Sequence, residues 1–510
     1  MRESGSWRPR DGSSSEPGTG TGMSRSEQPA AGPAAAAPVP ETLLCGWGRT
    51  AVRGIEVRDE ALQRAAAGLP LTRGLGRSYG DSSLPPPGST RVAGSALADR
   101  VLSFDPESGR LRAEAGLGLA EMSRLMLHQG WFTPVSPGTQ HVTLGGMVAS
   151  DVHGKNHHVA GTIGRWVREL RIALADGQIV DCSREQHPDL FLATLGGMGL
   201  TGHILEVELQ LERVPSAWIV RESFRLPDLD RLLARLEEES RRWPLTAAWM
   251  DTITRRRGEQ GTLGRGILYV GRWAEGDEAP SRPARAPRPL PLPFELPSGL
   301  LNRATLRWFN RLVYASHWRA HRRDVVPALR FFYPLDRVRR WNLAYGRRGV
   351  TQHQSVLPRQ SANQGIRELL EVLADAGACS LLTVVKDCGE QGDGMLSFPR
   401  PGMSLALDIP IQRDADATRQ VIDRLNACVI RHQGRIYLTK DGFTRAEDFR
   451  HMEPRLERFL EAKRRWDPSG ALRSAQSDRL GLTAQAAPRA SGAAEPAVAP
   501  PPALAGASSP

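Results

Sequence analysis

Three glycine-rich segments carry the residue types that hold a phosphate. They are Arg73-Gly74-Leu75-Gly76-Arg77-Ser78-Tyr79-Gly80-Asp81, Ser136-Pro137-Gly138-Thr139 followed by Thr143-Leu144-Gly145-Gly146, and Leu195-Gly196-Gly197-Met198-Gly199-Leu200-Thr201-Gly202. Glycine lets a backbone approach a pyrophosphate closely and turn unpaired N–H groups toward it. Arg77 and Ser78 add a charge and a hydroxyl. Any one such loop also reads as a plain turn, but three in succession around β-rich sequence argue for a ligand. Gly197 to Gly202 matches G-x-G-x-x-G by letter. A dinucleotide-binding turn lies between a strand and a helix, whereas here a helical DLFLATLG precedes and a strand-like HILEVELQL follows. That inverted order excludes a Rossmann site, and no P-loop is present.

The cluster Asp151-Val152-His153-Gly154-Lys155-Asn156-His157-His158 reads as a polar loop facing a ligand, with a turn of solvated histidines as the plain alternative. A metal would use His153 and His157 at i, i+4. Gly154 disfavours a continuous helix there, and no nearby cysteine or carboxylate pair completes the set, so no metal site is expected. Lys440-Asp441 follows a predicted strand ending Ile436-Tyr437-Leu438-Thr439. A lysine at a strand end is ordinarily a solvated charge.

The elements that must position these residues form an α+β pattern. From Thr42 to about Arg213, short strands alternate with glycine-rich turns, with an amphipathic helix over Leu119–His128 and a hairpin at Ala175-Asp176-Gly177. From about 214 to 433, Arg/Glu-rich helices alternate with strand runs such as GILYVGRW, ACSLLTVVKDCG and SLALDIPI, interrupted by a Pro-rich loop over 280–300. The stretch 434–481 reads as a strand, a loop and one helix closing at Asp467-Pro468-Ser469-Gly470. Residues 1–41 and 482–510 are low in apolar content and are expected to be disordered.

The chain has 510 residues, 40% hydrophobic and 24% charged, which excludes a fibre or a disulfide-stapled mini-protein. Five cysteines at irregular spacings fit a reducing compartment and no disulfide framework. No secretory signal and no spanning helix are expected. The net charge of +11 allows nucleic acid, an acidic membrane surface or an anionic small molecule as partner. No helix-turn-helix, zinc finger or RNA-stacking signature is present, so nucleic acid is only a remote alternative. Residues 281–350 hold 15 Arg against Glu295, Asp324 and Asp336, with Trp308, Phe309, Leu312 and Trp318 among them. That mixture suits a membrane face, and equally a pair of partly solvated helices.

The glycine loops and the HGKNHH block, with Phe332-Tyr333-Pro334-Leu335-Asp336, Leu396-Ser397-Phe398-Pro399, Leu407-Asp408-Ile409-Pro410 and Tyr437-Leu438-Thr439-Lys440-Asp441, resemble the vanillyl-alcohol-oxidase (PCMH-type) FAD-binding superfamily. Within it they resemble the polyprenylphosphoryl-ribose 2′-oxidases, over about Gly46 to Leu480. The resemblance implies a two-domain fold: an FAD-binding domain (42–213) to which 434–481 returns, and a substrate domain built on an antiparallel sheet with helices. It implies oxidation of a sugar hydroxyl, a ribose 2′-OH, by hydride transfer to flavin N5, as the first half of epimerisation to the arabinose sugar. A soluble aldonolactone or sugar-alcohol oxidase is the alternative.

Arg77 stands where covalent-flavin members carry histidine, which implies non-covalent FAD. Contacts to it are implied for Arg73, Gly74, Leu75, Gly76, Arg77, Ser78, Tyr79, Pro137, Gly138, Thr139, Thr143, Gly145, Gly146, His153, Gly154, Asn156, His157, Gly197, Gly199 and Gly202. Lys440, His153 and Tyr79 become candidates for the chemistry, and Tyr333, Gln352, Gln354, Lys386, Ala406 and Lys440 for substrate contact. Ala406 departs from the family, where a cysteine lies beside the flavin. Implied partners are a lipid-linked sugar phosphate, a short-chain reductase and a peripheral membrane contact. The implied location is the cytoplasm or a membrane face.

Overall fold

An eight-stranded antiparallel sheet organises the second half of the chain. Its strands run, in spatial order, His321–Pro327, Trp218–Leu226, Gly266–Trp273, Leu245–Met250, Thr383–Cys388, Gly402–Pro410, Val350–Pro358 and Arg435–Ile436. The computed structural model describes residues 41–253, 263–285 and 288–483. Residues 1–40 and 484–510, expected to be disordered, lie outside the described residues.

One face of this sheet is covered by helices whose sequence dictates their docking. In Leu229–Ser240, Asp228 caps the first turn by accepting from the Arg231 N–H at 2.9 Å. Leu229, Leu232, Leu233 and Leu236 then form one buried stripe. In Ala415–Arg431, Val421, Ile422, Leu425, Cys428 and Val429 do the same. These stripes share a core with Val385, Leu405 and Leu407 of the sheet and with Phe449 and Phe459 of the C-terminal helices.

The first half builds a five-stranded antiparallel sheet, Val101–Phe104, Arg110–Glu114, His203–Gln210, Val167–Ala173 and Ile179–Ser183 in spatial order, and a smaller four-stranded mixed sheet. Its core gathers Leu111, Val167, Ile172, Val207 and Leu209, and takes in Phe331, Phe332 and Tyr333 from the second half. The helix Pro188–Thr194 precedes the third glycine loop and the strand His203–Gln210 follows it, the inverse of the Rossmann order.

Five local expectations are corrected. The helix expected over Leu119–His128 keeps α-geometry only to Met126 and tightens to a 3₁₀ turn over Leu127–Gln129. The single C-terminal helix is two, Ala446–Met452 and Leu456–Trp466, because Pro454 has no N–H to continue the ladder. The strand expected to end at Thr439 is only Arg435–Ile436, so Lys440 sits in a tight turn. Leu482, assigned to the tail, is fully buried with Leu480 in the second core. Residues 303–332 are also not a helix pair: after Arg303–Ser316 the chain becomes the edge strand His321–Pro327, and only one turn of helix follows.

Candidate active site

Period-two alternation builds the site wall. In the register of the sheet, Gln352 pairs with Asp408, Gln354 with Ala406, Val384 with Ala406 and Lys386 with Ser404. Alternate residues share a face, so Gln352, Gln354, Lys386, Ser404, Ala406 and Asp408 lie together. Val385, Leu405 and Leu407 face the opposite way, into the core.

Two hydrogen-bonded groups stand on this polar face. In the first, the Gln354 amide nitrogen lies 2.9 Å from His153 Nε2 and donates to Ser404 Oγ at 3.2 Å. The His153 ring packs beside Phe398 and Tyr437, each 5.5 Å away. In the second, the Gln352 amide donates to Asp408 and reaches the Tyr79 hydroxyl at 3.4 Å. Tyr345 donates to the other oxygen of Asp408 at 3.2 Å. Lys440 Nζ sits 4.4 Å from the centre of the Tyr79 ring, a cation–π contact.

The loops bearing Tyr79 and Lys440 are fastened to each other. The Tyr79 N–H donates to Thr439 O at 2.9 Å. A Cβ on Gly80 would fall 2.0 Å from Asp441 O, so only glycine permits this approach. Arg479 spans both loops, donating to the two oxygens of Asp81 at 2.8 and 2.9 Å and to Asp441 at 2.9 Å. Arg479 thus ties the two loops together.

The charges are uneven. Lys440 acts on the fully buried carboxylate of Asp408, and Lys386 acts on Lys440, Lys155, His153 and His157. Burial pushes Lys440 down to about 8 against the pull of Asp408, with Lys386 lowering it further. Burial raises Asp408 to about 6, opposed by its hydrogen bond from Gln352 and by Lys440. Burial and Lys386 carry Lys155 to about 7 and hold His157 at about 3. Burial and the same lysine hold His153 well below its ordinary value, so both rings are neutral. Burial and Asp408 lift Tyr79 well above 10, which keeps it a phenol. An anion entering this site relieves the mutual repulsion of the lysines.

The first glycine loop suits a phosphate-bearing cofactor. The N–H groups of residues 75–78 donate to nothing among the described residues, and no atom lies within 4 Å of a Cβ built on Gly138. His157 Nδ1 accepts from the Gly389 N–H at 3.1 Å, so its buried, unpartnered Nε2 carries the ring proton. Such spare donors fit the acceptor-rich edges of FAD.

Other residues expected at the cofactor also make structural contacts. Arg73 braces the loop from behind through Cys45 O and Ser83. Gly74 makes room for the Thr143 hydroxyl, which caps the helix Leu144–Ala149 that includes Gly145 and Gly146. Asn156 donates to Pro134 O, holding the HGKNHH turn to the Pro137 loop, and a Cβ on Gly154 would fall 3.0 Å from Ser136 O. Gly197 packs against Ala193 O, Gly199 has φ +79°, and Gly202 abuts Ile172, so packing and turning account for the third loop.

Arg77 stacks on Trp47 at 4.6 Å and donates to His141 O. Leu75 is exposed. Thr139 donates to Asp336 at 2.8 Å, and Tyr333 shares a 2.6 Å hydrogen bond with Ser136. The sequence reading missed Asp408, Ser404, Tyr345 and Arg479. Counting by two from Ala406 finds Ser404 and Asp408; nothing local marks the other two.

Comparison with known proteins gives the chain its relatives. Residues 56–183 match the model of an FAD-binding domain. The chain is 33% identical to decaprenylphosphoryl-β-D-ribose oxidase of Mycolicibacterium smegmatis over 86% of its own length and 97% of that protein. It is 34% identical to a Streptomyces coelicolor protein known by its place in the mprA 5′ region, over 71% of this chain and all of that one. L-gulonolactone oxidase of Mus musculus is 31% identical over 25% of this chain and 28% of its own. Near-complete coverage by the first of these, with a glycine loop whose amides are unspent, makes this chain an FAD-dependent oxidoreductase of the PCMH type, a member of the decaprenylphosphoryl-β-D-ribose oxidase family.

Proposed function

We propose that the protein oxidises the 2′-hydroxyl of a polyprenylphosphoryl-β-D-ribose to a ketone, the first half of an epimerisation to the arabinose sugar. The supporting observation is the lysine-rich, hydrogen-bonded face of the large sheet set against the Tyr79–Lys440 clasp. Non-covalent FAD is part of this reading, since Arg77 is no attachment point. Residues 75–78 and His157 would hold the FAD, which when bound supplies the two-electron acceptor for the hydride leaving the sugar carbon.

The chain's own groups do the rest. Lys440, fixed by the clasp, places positive charge where negative charge grows, without reorganising. Asp408, ionised at neutrality with its value raised to about 6, takes up the hydroxyl proton, while Lys440, at about 8, stays an ammonium. Gln352, Gln354 and His153 orient the sugar by hydrogen bonds. Lys386 supplies attraction for the phosphate. A short-chain reductase would complete the epimerisation. A substrate of this kind lies at a membrane face, so the protein works in the cytoplasm or peripherally on a membrane; no helix among the described residues is long and apolar enough to cross one.

The test is anaerobic bleaching of the bound flavin. Lipid-linked ribose should bleach it while aldonolactones do not. Bleaching by lactones alone would replace this reading with that of a soluble-substrate oxidase.

A further inference from the structure

The helix Arg303–Ser316 is built inside out. Its capping box at Asn302 and Thr305 is intact. Among its residues only Leu306 and Asn310 are buried, and Asn310 is anchored by a 2.8 Å hydrogen bond to Asp251. The face turned outward carries Trp308 at 66% exposure, Leu312 at 67% and Phe309 at 45%, and Trp318 just beyond the helix is 70% exposed. At 100° per residue, Ala304, Trp308, Leu312 and Ala315 form one outward stripe, with Arg303, Arg307 and Arg311 flanking it on one side. From Leu296 to Ala320 the chain holds four arginines and no acidic residue; beyond it, Arg322 and Arg323 pair with Asp324, Glu222 and Glu278. Arg311 lies 5.5 Å from the Trp308 ring and Arg319 lies 4.6 Å from the Trp318 ring. The exposed Phe294 and Leu300 lie just upstream in sequence.

Water is a poor partner for such a face, because large exposed apolar patches are uncommon on proteins that stay in solution. A second copy of this chain is also a poor partner. A two-fold contact through this face would set arginine against arginine, with no carboxylate on the stripe to answer it. An anionic bilayer satisfies both halves: aromatic rings settle at the headgroup level, and guanidinium groups pair with phosphates.

The inner side of the helix leads to the active site. Leu306 packs with Ile253, Cys379, Leu301 and Leu381, and the last two also pack against the cluster of Tyr79, Tyr345 and Val350. The outward stripe is therefore one packing layer from the ring that Lys440 covers.

We infer that the outward face of Arg303–Ser316, together with Trp318, is the surface on which this protein docks to an anionic lipid bilayer, holding the Tyr79 end of its site against the headgroups. The inference deepens the proposed function, since it says how a lipid-anchored substrate would reach the site without leaving the membrane.

The experiment is vesicle co-sedimentation of the full-length, FAD-loaded protein. Vesicles are phosphatidylcholine alone or with about a third phosphatidylglycerol, at low and high salt. Binding should appear only with the anionic lipid and weaken severalfold at high salt. The pair Trp308→Ser and Leu312→Ser should lower binding at least tenfold, and Arg307→Gln with Arg311→Gln should remove its dependence on anionic lipid. All variants should keep the visible flavin spectrum, because none of these side chains is buried. A flavin-loaded protein that ignores both vesicles, or variants that bind as well as the parent, overturns the docking surface and leaves the oxidase reading standing. So does a parent dimer that the Ser pair converts to monomer, which would give the face to a second copy. Vesicle binding with no bleaching by lipid-linked ribose would instead sink the substrate assignment while the docking held.

Discussion

The two faces of strands Thr383–Cys388, Gly402–Pro410 and Val350–Pro358 are made by the same residues taken alternately, yet they obey different rules. One presents Leu405, Leu407 and Val385, all fully buried, to helices with matching leucine stripes. The other presents Gln352, Gln354, Lys386, Ser404 and Asp408, each polar group tied to a neighbour except Lys386. The first face contributes stability through area removed from water. The second costs desolvation, which raises Asp408 and lowers the neighbouring Lys440, and buried groups shifted in this way are candidates for chemistry. The hydrophobic face holds the other one still.

If this division is right, substitutions on the two faces separate stability from activity. The largest stability loss is expected from Leu405→Ala, about 2–5 kcal/mol by thermal or denaturant unfolding, with the flavin spectrum unchanged below the new melting point. A comparable loss of turnover would mean that the two faces are not independent.

Lys440→Met is the mirror experiment. It should lower kcat about 10²–10³-fold while melting near the parent temperature, and Lys440→Arg should recover part of the loss. In the parent, activity that needs the ammonium falls as pH rises through about 8, where the lysine loses its proton. Asp408→Asn removes the carboxylate that holds that proton, so the alkaline limb should move to lower pH, by about one unit. A limb that stays in place in the pH–rate profile would mean that Asp408 does not hold the Lys440 proton. Arg479→Lys should act through the clasp, weakening flavin retention on gel filtration several-fold, whereas a purely structural arginine would change only the melting temperature. The smallest effect belongs to Ala406→Cys on the polar face. Stability should stay within about 0.5 kcal/mol, and a new thiol should become reactive in a mass-spectrometric alkylation assay.

The glycine loops show how far sequence pattern reaches. All three look alike as strings. The first leaves its amides unspent at residues 75–78, while the third uses Gly197 and Gly202 to let Ala193 O and Ile172 approach. A glycine states that a Cβ would be in the way; it does not state whether a ligand or the protein's own backbone is there. The same ambiguity surrounded Lys440. A lysine in a turn is ordinarily solvated, and only the Tyr79 ring beneath it and Asp408 nearby make it part of a site.

The resemblance to a known family implied the antiparallel second sheet and the flavin-binding character of the first half; the sequence's own patterns determined most element types and the inverted order at the third loop. These are local properties: hydrophobic period, turn residues and motif letters act within a few residues of one another. The tertiary structure decided which loops meet. Tyr79, Tyr345, Asp408, Lys440 and Arg479 are scattered along the chain, and no local preference brings any of them together. Their contacts are by-products of burying the leucine stripes on the other face of the sheet. That burial acts through total apolar area and shape, which short sequence windows do not contain.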